Sequence, residues 1–156
     1  VCMVAPSVAG EVEALAKTQN FPVVLVKEEA EKADAYAAMS VAIACSGTVT
    51  TELAAQGAGV VTGYKLGWIT WGLLRFFLFK SRFSALVNVA ANREVIPEFL
   101  QTRFNAANIE RAVELRLSNP AVLKEQRDAQ QNALRIMAGT GRPAAEISAE
   151  TILKLS

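Results

Sequence analysis

The chain has 156 residues, 52% of them hydrophobic and 20% charged, with a formal net charge of +1. That profile belongs to one globular domain with a full core and excludes a disordered chain, and a balance so near neutrality gives no electrostatic case for nucleic acid. The complete absence of histidine excludes Ser–His triads, imidazole acid–base chemistry and His metal sites.

Short apolar runs rich in β-branched residues alternate with helical patterns along the first half of the chain. Residues 1–5, 23–26, 41–45 and 60–62 read as strands, and residues 10–18, 28–39 and 49–56 as the helices between them. Strands that are apolar throughout and separated by helices predict a parallel sheet covered on both faces. Residues 85–89 read as a fifth strand. After Pro97 the pattern turns helical: residues 98–101, then 106–117 with Asn105 as the cap, then 120–138 with Pro120 in the first turn. Residues 139–143 break the pattern and residues 144–155 close it. The expected fold is α/β, a single Rossmann-like domain over residues 1–156 with a helical C-terminal tail. Val1 opens directly on an apolar run, with no signal peptide and no start methionine, which points to a piece of a longer protein. Cys2 and Cys45 lack metal-ligand spacing and suggest no disulfide framework, so a reducing cytosol is the simpler setting.

The stretch "CSGTVTTE", residues 45–52, follows the third predicted strand. Ligands in a parallel α/β sheet gather at the C-terminal ends of strands, where helix N-termini converge. Gly47 permits a tight turn and close backbone approach, while the hydroxyls of Ser46, Thr48 and Thr50 can donate to oxyanions. The first amides of the helix complete an anion site. Glu52 lies one turn beyond Thr48 on the same face, placed to accept from the two hydroxyls of a ribose. An ordinary cap at Ser46 or Thr48 with a solvated Glu52 accounts for the same spacing. The stretch matches neither a Walker A nor a G-x-G-x-x-G pattern.

Between the fourth and fifth predicted strands lies "GWITWGLLRFFLFKSRFSALVN", residues 67–88. Its apolar part is about a dozen residues, short of the ~20 a spanning helix needs. Trp68, Trp71, Phe76 and Phe77 interleaved with Arg75, Lys80 and Arg82 suit a helix lying in a membrane interface. A buried core helix or a dimer contact absorbs such aromatics equally well. Next comes "NVAANREVIPEFLQ", residues 88–101, dense in polar groups. If it runs over the strand ends, Arg93 can hold a diphosphate bidentately while Asn88 and Glu94 bond sugar hydroxyls. A surface loop with ordinary Arg–Glu pairs is the competing reading.

These three stretches, in this order, resemble the C-terminal half of the lipid-A-disaccharide synthase family. The residues that carry the resemblance are "SGTVTTELAAQGAGVVTGYKL", "WITWGLLRFFLFK" and "LVNVAANREVIPEFLQ", followed by the helical tail. It covers nearly the whole chain. Where the family usually has proline before the fourth strand this chain has Ala58, and where it tends to have glycine before the Arg-Glu pair this chain has Asn92.

The resemblance implies half of a GT-B glycosyltransferase, two Rossmann-like domains facing a cleft, with the donor held by the C-terminal one. Family members transfer 2,3-diacylglucosamine from its UDP-linked form onto lipid X (2,3-diacylglucosamine 1-phosphate), releasing UDP and forming a β-1,6-linked disaccharide. It implies that Ser46, Gly47 and Thr48 hold the diphosphate, that Glu52 holds the ribose, and that Asn88, Arg93 and Glu94 surround the donor sugar and phosphates. No cofactor and no metal are implied, and the catalytic base is expected in the N-terminal domain. The implied setting is the cytoplasmic side of the inner membrane of a Gram-negative bacterium, with the aromatic segment seated on the bilayer and a homodimer compatible with its exposed aromatics. Two rivals remain: the UDP-sugar half of another GT-B glycosyltransferase or epimerase, and a non-catalytic α/β module with an aromatic partner-binding face.

Overall fold

Residues 1–45, 47–68, 83–139, 141 and 144–155 are described by the computed structural model. The fold is α/β, with parallel strands flanked by helices. In chain order the elements are β1 (Cys2–Met3), α1 (Ala9–Lys17), β2 (Leu25–Val26), α2 (Lys32–Ala38), β3 (Val41–Ala44), α3 (Thr48–Ala55), β4 (Gly59–Tyr64), α4 (Leu86–Ala91), β5 (Glu98–Leu100), α5 (Ala106–Ser118), α6 (Pro120–Ala138) and α7 (Ala144–Leu155). Short 3-10 turns at Pro6–Val8, Glu29–Glu31 and Gln101–Arg103 precede α1 and α2 and follow β5. Among the described residues the strands form two parallel sheets, β1-β2 and β3-β4-β5, where one was expected.

The core gathers around β4, which is apolar and buried almost along its length. Ala42, Leu53, Val60, Val87, Ile96 and Ala133 pack there from β3, α3, β4, α4, the loop before β5, and α6. Val60, Val61, Val87 and Ile96 are fully enclosed, and each such side chain contributes about 1.5–3 kcal/mol relative to exposure. Gly59 lets α6 cross close over the start of β4, since a Cβ there would run into Leu123. Helix starts follow their local chemistry. Asn105 Oδ1 accepts from Asn108 N at 3.0 Å, as the sequence predicted. Asn119 Oδ1 accepts from Ala121 N and Val122 N at 3.1 and 3.3 Å ahead of Pro120.

Strand β5 pairs with β4 only from Glu98, opposite Thr62, onward. Thr62 N donates to Pro97 O, so the alternate residues Ala58 and Val60 turn their backbone groups to the same side, ahead of any strand partner. Two glutamines of α6 take the place of the missing ladder. Gln130 Oε1 accepts from Val60 N at 3.2 Å, Gln126 Nε2 donates to Val60 O at 2.7 Å, and Gln130 Nε2 donates to Ala58 O at 2.8 Å. They stand one helical turn apart and bond each other at 2.8 Å, while Arg116 Nε donates to Gln126 Oε1 from α5.

Two expected elements are exchanged. Residues 85–89, read as a strand, lie in α4, and residues 98–101, read as a helix, contain β5. One cluster explains both. The Glu98 carboxylate, mostly buried, accepts from Ser84 N, Ser84 Oγ, Ala85 N and Asn88 Nδ2 at 2.6–2.9 Å. It thereby caps α4 from across the fold, a helix whose own N-cap residue, Ala85, offers no side-chain acceptor. β-branched content favours a strand at 85–89, but a remote carboxylate at the helix start overrides local propensity. The helix expected at 28–39 is also shorter, with its first turn 3-10.

Candidate functional site

The three strands of the larger sheet run the same way, so the segments leaving them share one end. The register pairs Ala44 with Thr62 and Tyr64 with Leu100. Gly47, Lys65, Leu66 and the 3-10 turn Gln101–Arg103 therefore emerge together. Gln101 ties two of these segments: Nε2 donates to Leu66 O at 3.2 Å and Oε1 accepts from Leu66 N at 2.8 Å. It does so with φ of 53°, a left-handed backbone that ends β5 abruptly.

Gly47 has φ 143° and ψ −160°, a conformation essentially reserved for glycine, and a Cβ there would meet nothing within 4 Å. The residue is held for its backbone, and open space lies beside it. Helix α3 starts at the exposed Thr48, with Gly47 at the cap position and no capping side chain there. Thr48 is thus the first helical residue and not the cap. Thr50 is corrected: it is 1% exposed and its hydroxyl donates to Cys45 O at 2.8 Å, closing the turn and leaving no proton for an anion. Glu52 is exposed one turn after Thr48 and accepts from Tyr36 Oη of α2 at 3.5 Å. Ser46 lies outside the described residues.

Among the described hydrogen bonds none joins Asn88 or Glu94 to this turn. Asn88 is fully buried and uses all its hydrogen-bonding capacity within the fold. Its Oδ1 accepts from Val95 N and Ile96 N at 2.7 and 2.8 Å, and its Nδ2 donates to Ile96 O and Glu98 Oε1 at 2.7 and 2.6 Å. No group of Asn88 is left for a sugar hydroxyl. Arg93 and Glu94 are exposed in the loop that enters β5, toward the starting end of the strands. Glu94 Oε1 accepts from Glu98 N at 3.2 Å. Its charge favours the Arg116 cation, whose pKa burial pushes below the usual guanidinium range. Arg93 and Glu94 precede β5, whose first residue, Glu98, is level with Thr62 and, through it, with Ala44.

Reading by residue type missed Lys65 and Arg103. Both are exposed, at the ends of β4 and just past β5, on the same side as Gly47. Arg103 also lies over the Phe99 ring, 5.6 Å from its centroid. The signal was available: a cation directly after an apolar strand lies at the ligand-binding end of a parallel sheet. Of the proposed membrane-contacting set, Trp68 is described and is 64% exposed. Trp71, Arg75, Phe76, Phe77, Lys80 and Arg82 lie outside the described residues. Among the described residues no helix is long and apolar enough to cross a membrane.

Comparison with known proteins adds a family. The family model for lipid-A-disaccharide synthetase matches residues 1–152. The chain is similar to the lipid-A-disaccharide synthase of Rhodospirillum centenum, 32% identical over 98% of this chain and 39% of that protein. The Gluconobacter oxydans synthase is 32% identical over 96% of this chain and 36% of its own length. That of Solibacter usitatus is 39% identical over 59% of this chain and 23% of its own. The chain thus spans less than two fifths of the length of these relatives. A match that leaves out only the last few residues is family-wide in extent, and the chain belongs to the lipid-A-disaccharide synthetase family.

Proposed function

We propose that this chain is the donor-binding half of a glycosyltransferase that joins two acylated glucosamine units into the lipid A disaccharide. The observation that carries the proposal is the family match over residues 1–152, and the open turn at Gly47 supports the donor assignment. The nucleotide diphosphate lies against the N-terminal amides of α3, with the hydroxyls of Ser46 and Thr48 as its donors. Glu52 accepts from the ribose hydroxyls. Lys65 supplies the positive charge that Arg93 was expected to bring, because it leaves β4 at the same end as the turn.

The acceptor's 6-hydroxyl oxygen attacks the anomeric carbon of UDP-2,3-diacylglucosamine as a carboxylate base, carried by the N-terminal domain, removes its proton. The bond from the anomeric carbon to the diphosphate oxygen breaks, and UDP leaves with the electron pair. Fixed amide dipoles and Lys65 stabilise the charge that develops on that oxygen. Lipid X is the acceptor, and the segment that begins at Trp68 seats the enzyme on the inner-membrane surface, where both lipids reside. The family match favours this reading over the half of a UDP-sugar epimerase.

Calorimetric titration of UDP into the chain tests the site. Micromolar to millimolar binding is expected, weakened at least about tenfold by Glu52→Ala and by Lys65→Ala and left nearly unchanged by Arg93→Ala. Equal affinity in all four proteins, each folded, removes the Gly47 turn as the nucleotide site.

A further inference from the structure

Among the described residues, each of the two parallel sheets presents an unpaired edge. In β1, Cys2 N and Val4 N donate to Val24 O and Val26 O at 2.8 and 2.9 Å, so strand alternation turns the backbone groups of Met3 to the opposite side. In β3, Ser40 O accepts from Gly59 N at 3.0 Å, so Ala42 and Ala44 face β4 while Val41 and Ile43 turn away from it. No described strand pairs with either outward side.

A doubly wound sheet starts at its centre, builds outward on one side, then crosses over and builds on the other. The orders β2-β1 and β3-β4-β5 match the two outward-built halves of that plan without its central strand. We infer that these two edges wall a slot for a single strand, occupied by an apolar extended segment of about five or six residues carried upstream of β1 in a longer polypeptide. All neighbours are parallel, so the occupant runs parallel to them. A central parallel strand covered on both faces is apolar on both.

Side-chain packing agrees. Ile43 is 59% exposed although it stands on a strand of the main sheet. With Ile109, Val113 and Leu117 of α5 it lines an open apolar groove of about 500 Å³, edged by Glu110 and Glu114. A strand in the slot lays alternate side chains toward that groove and covers it. The source follows from connectivity. A strand beside β1 is most simply joined to it by one right-handed crossover that precedes β1, whereas the chain between β2 and β3 is spent on α2. Relatives with more than twice this length have sequence to supply it.

The test attaches a surrogate strand. The six residues of β4, GVVTGY, are fused ahead of Val1 through a Gly/Ser linker of about 30 residues, long enough to run from the far end of the slot back to β1. A control fusion carries proline at two alternate positions of the surrogate, which removes ladder donors. Hydrogen exchange at the Met3, Val41 and Ile43 amides is read at a dilution where each protein is monomeric. Fast exchange is expected in the unfused chain and in the proline control, and exchange at least about 100-fold slower in the strand fusion. Two results overturn the slot: protection of these amides in the unfused monomer, or equal exchange in the two fusions when both are folded. Geometry gives an independent check. One intervening strand sets the edges about 9–10 Å apart, beyond the ~7 Å Cα reach of a disulfide. A Met3→Cys, Ile43→Cys pair, in a Cys2→Ser, Cys45→Ser background, should therefore not close on oxidation. Ready closure to a native-like protein also overturns it.

Discussion

Asn92 stands at φ 50° and ψ 29°, the left-handed conformation that lets the chain leave α4 and turn back into the sheet. Glycine reaches it without cost, and asparagine tolerates it best among the other residues. Asparagine here thus meets a backbone demand that glycine would also meet. Asn92→Gly is expected to change stability by no more than a few tenths of a kcal/mol, whereas Asn92→Val should cost about 1–2 kcal/mol. Urea unfolding of the three proteins checks this, and a valine variant as stable as the parent would show that the turn is not held by its dihedral. The same scale explains what residue types did not disclose. Asn88, Arg93 and Glu94 are neighbours in sequence and look like one polar surface. Yet Asn88 is enclosed and bonded four ways within the fold, while Arg93 and Glu94 are exposed. An amide that satisfies a buried loop and an amide that meets a sugar carry the same letter. Gly47 was legible because its need is conformational and follows from a tight strand-to-helix turn.

At the scale of elements, alternation of apolar runs and amphipathic stretches located β1 through α3, α5 and α6, since those segments obey their own periodicity. The exchange of strand and helix between residues 85 and 100 was not legible. It depends on Glu98 capping a helix more than ten residues earlier in the chain, a contact no window of sequence contains. The glutamine pair on α6 is a second long-range device. It completes the β5-facing side of β4 where β5 has not yet begun, and its contacts span about 70 residues. Gln130→Leu keeps much of the volume but orphans Val60 N and Ala58 O in the core, at about 1–3 kcal/mol for each group. A loss of roughly 3 kcal/mol or more is expected in urea unfolding. Lys124→Ala, which removes an exposed ion pair with Asp128, should cost less than about 1 kcal/mol. Comparable losses in the two variants would show that water, not Gln130, serves those backbone groups.

The whole molecule divides its chemistry between the two ends of one sheet. At the starting ends, Glu94, Arg116, Gln126 and Gln130 are engaged with one another and with the backbone, which holds the strands but exposes little to a ligand. At the finishing ends stand the open Gly47 turn, Thr48, Lys65 and the exposed Glu52. The turn amides, Thr48 and Lys65 are the donors and the cation there that suit an anion such as the proposed diphosphate. Transfer to a hydroxyl needs more: a base within hydrogen-bond reach of the acceptor oxygen and a surface that holds the acceptor in line with the breaking bond. Glu52, a turn along α3 and directed to the ribose in the proposed pose, is not positioned for that task. The chain alone, supplied with UDP-2,3-diacylglucosamine and lipid X, should therefore form no disaccharide over hours, as read by mass spectrometry, even at donor concentrations that saturate the UDP site. Disaccharide from this chain alone would place a base among its own residues. Its loss in Glu52→Gln with UDP affinity retained would then identify Glu52 as that base.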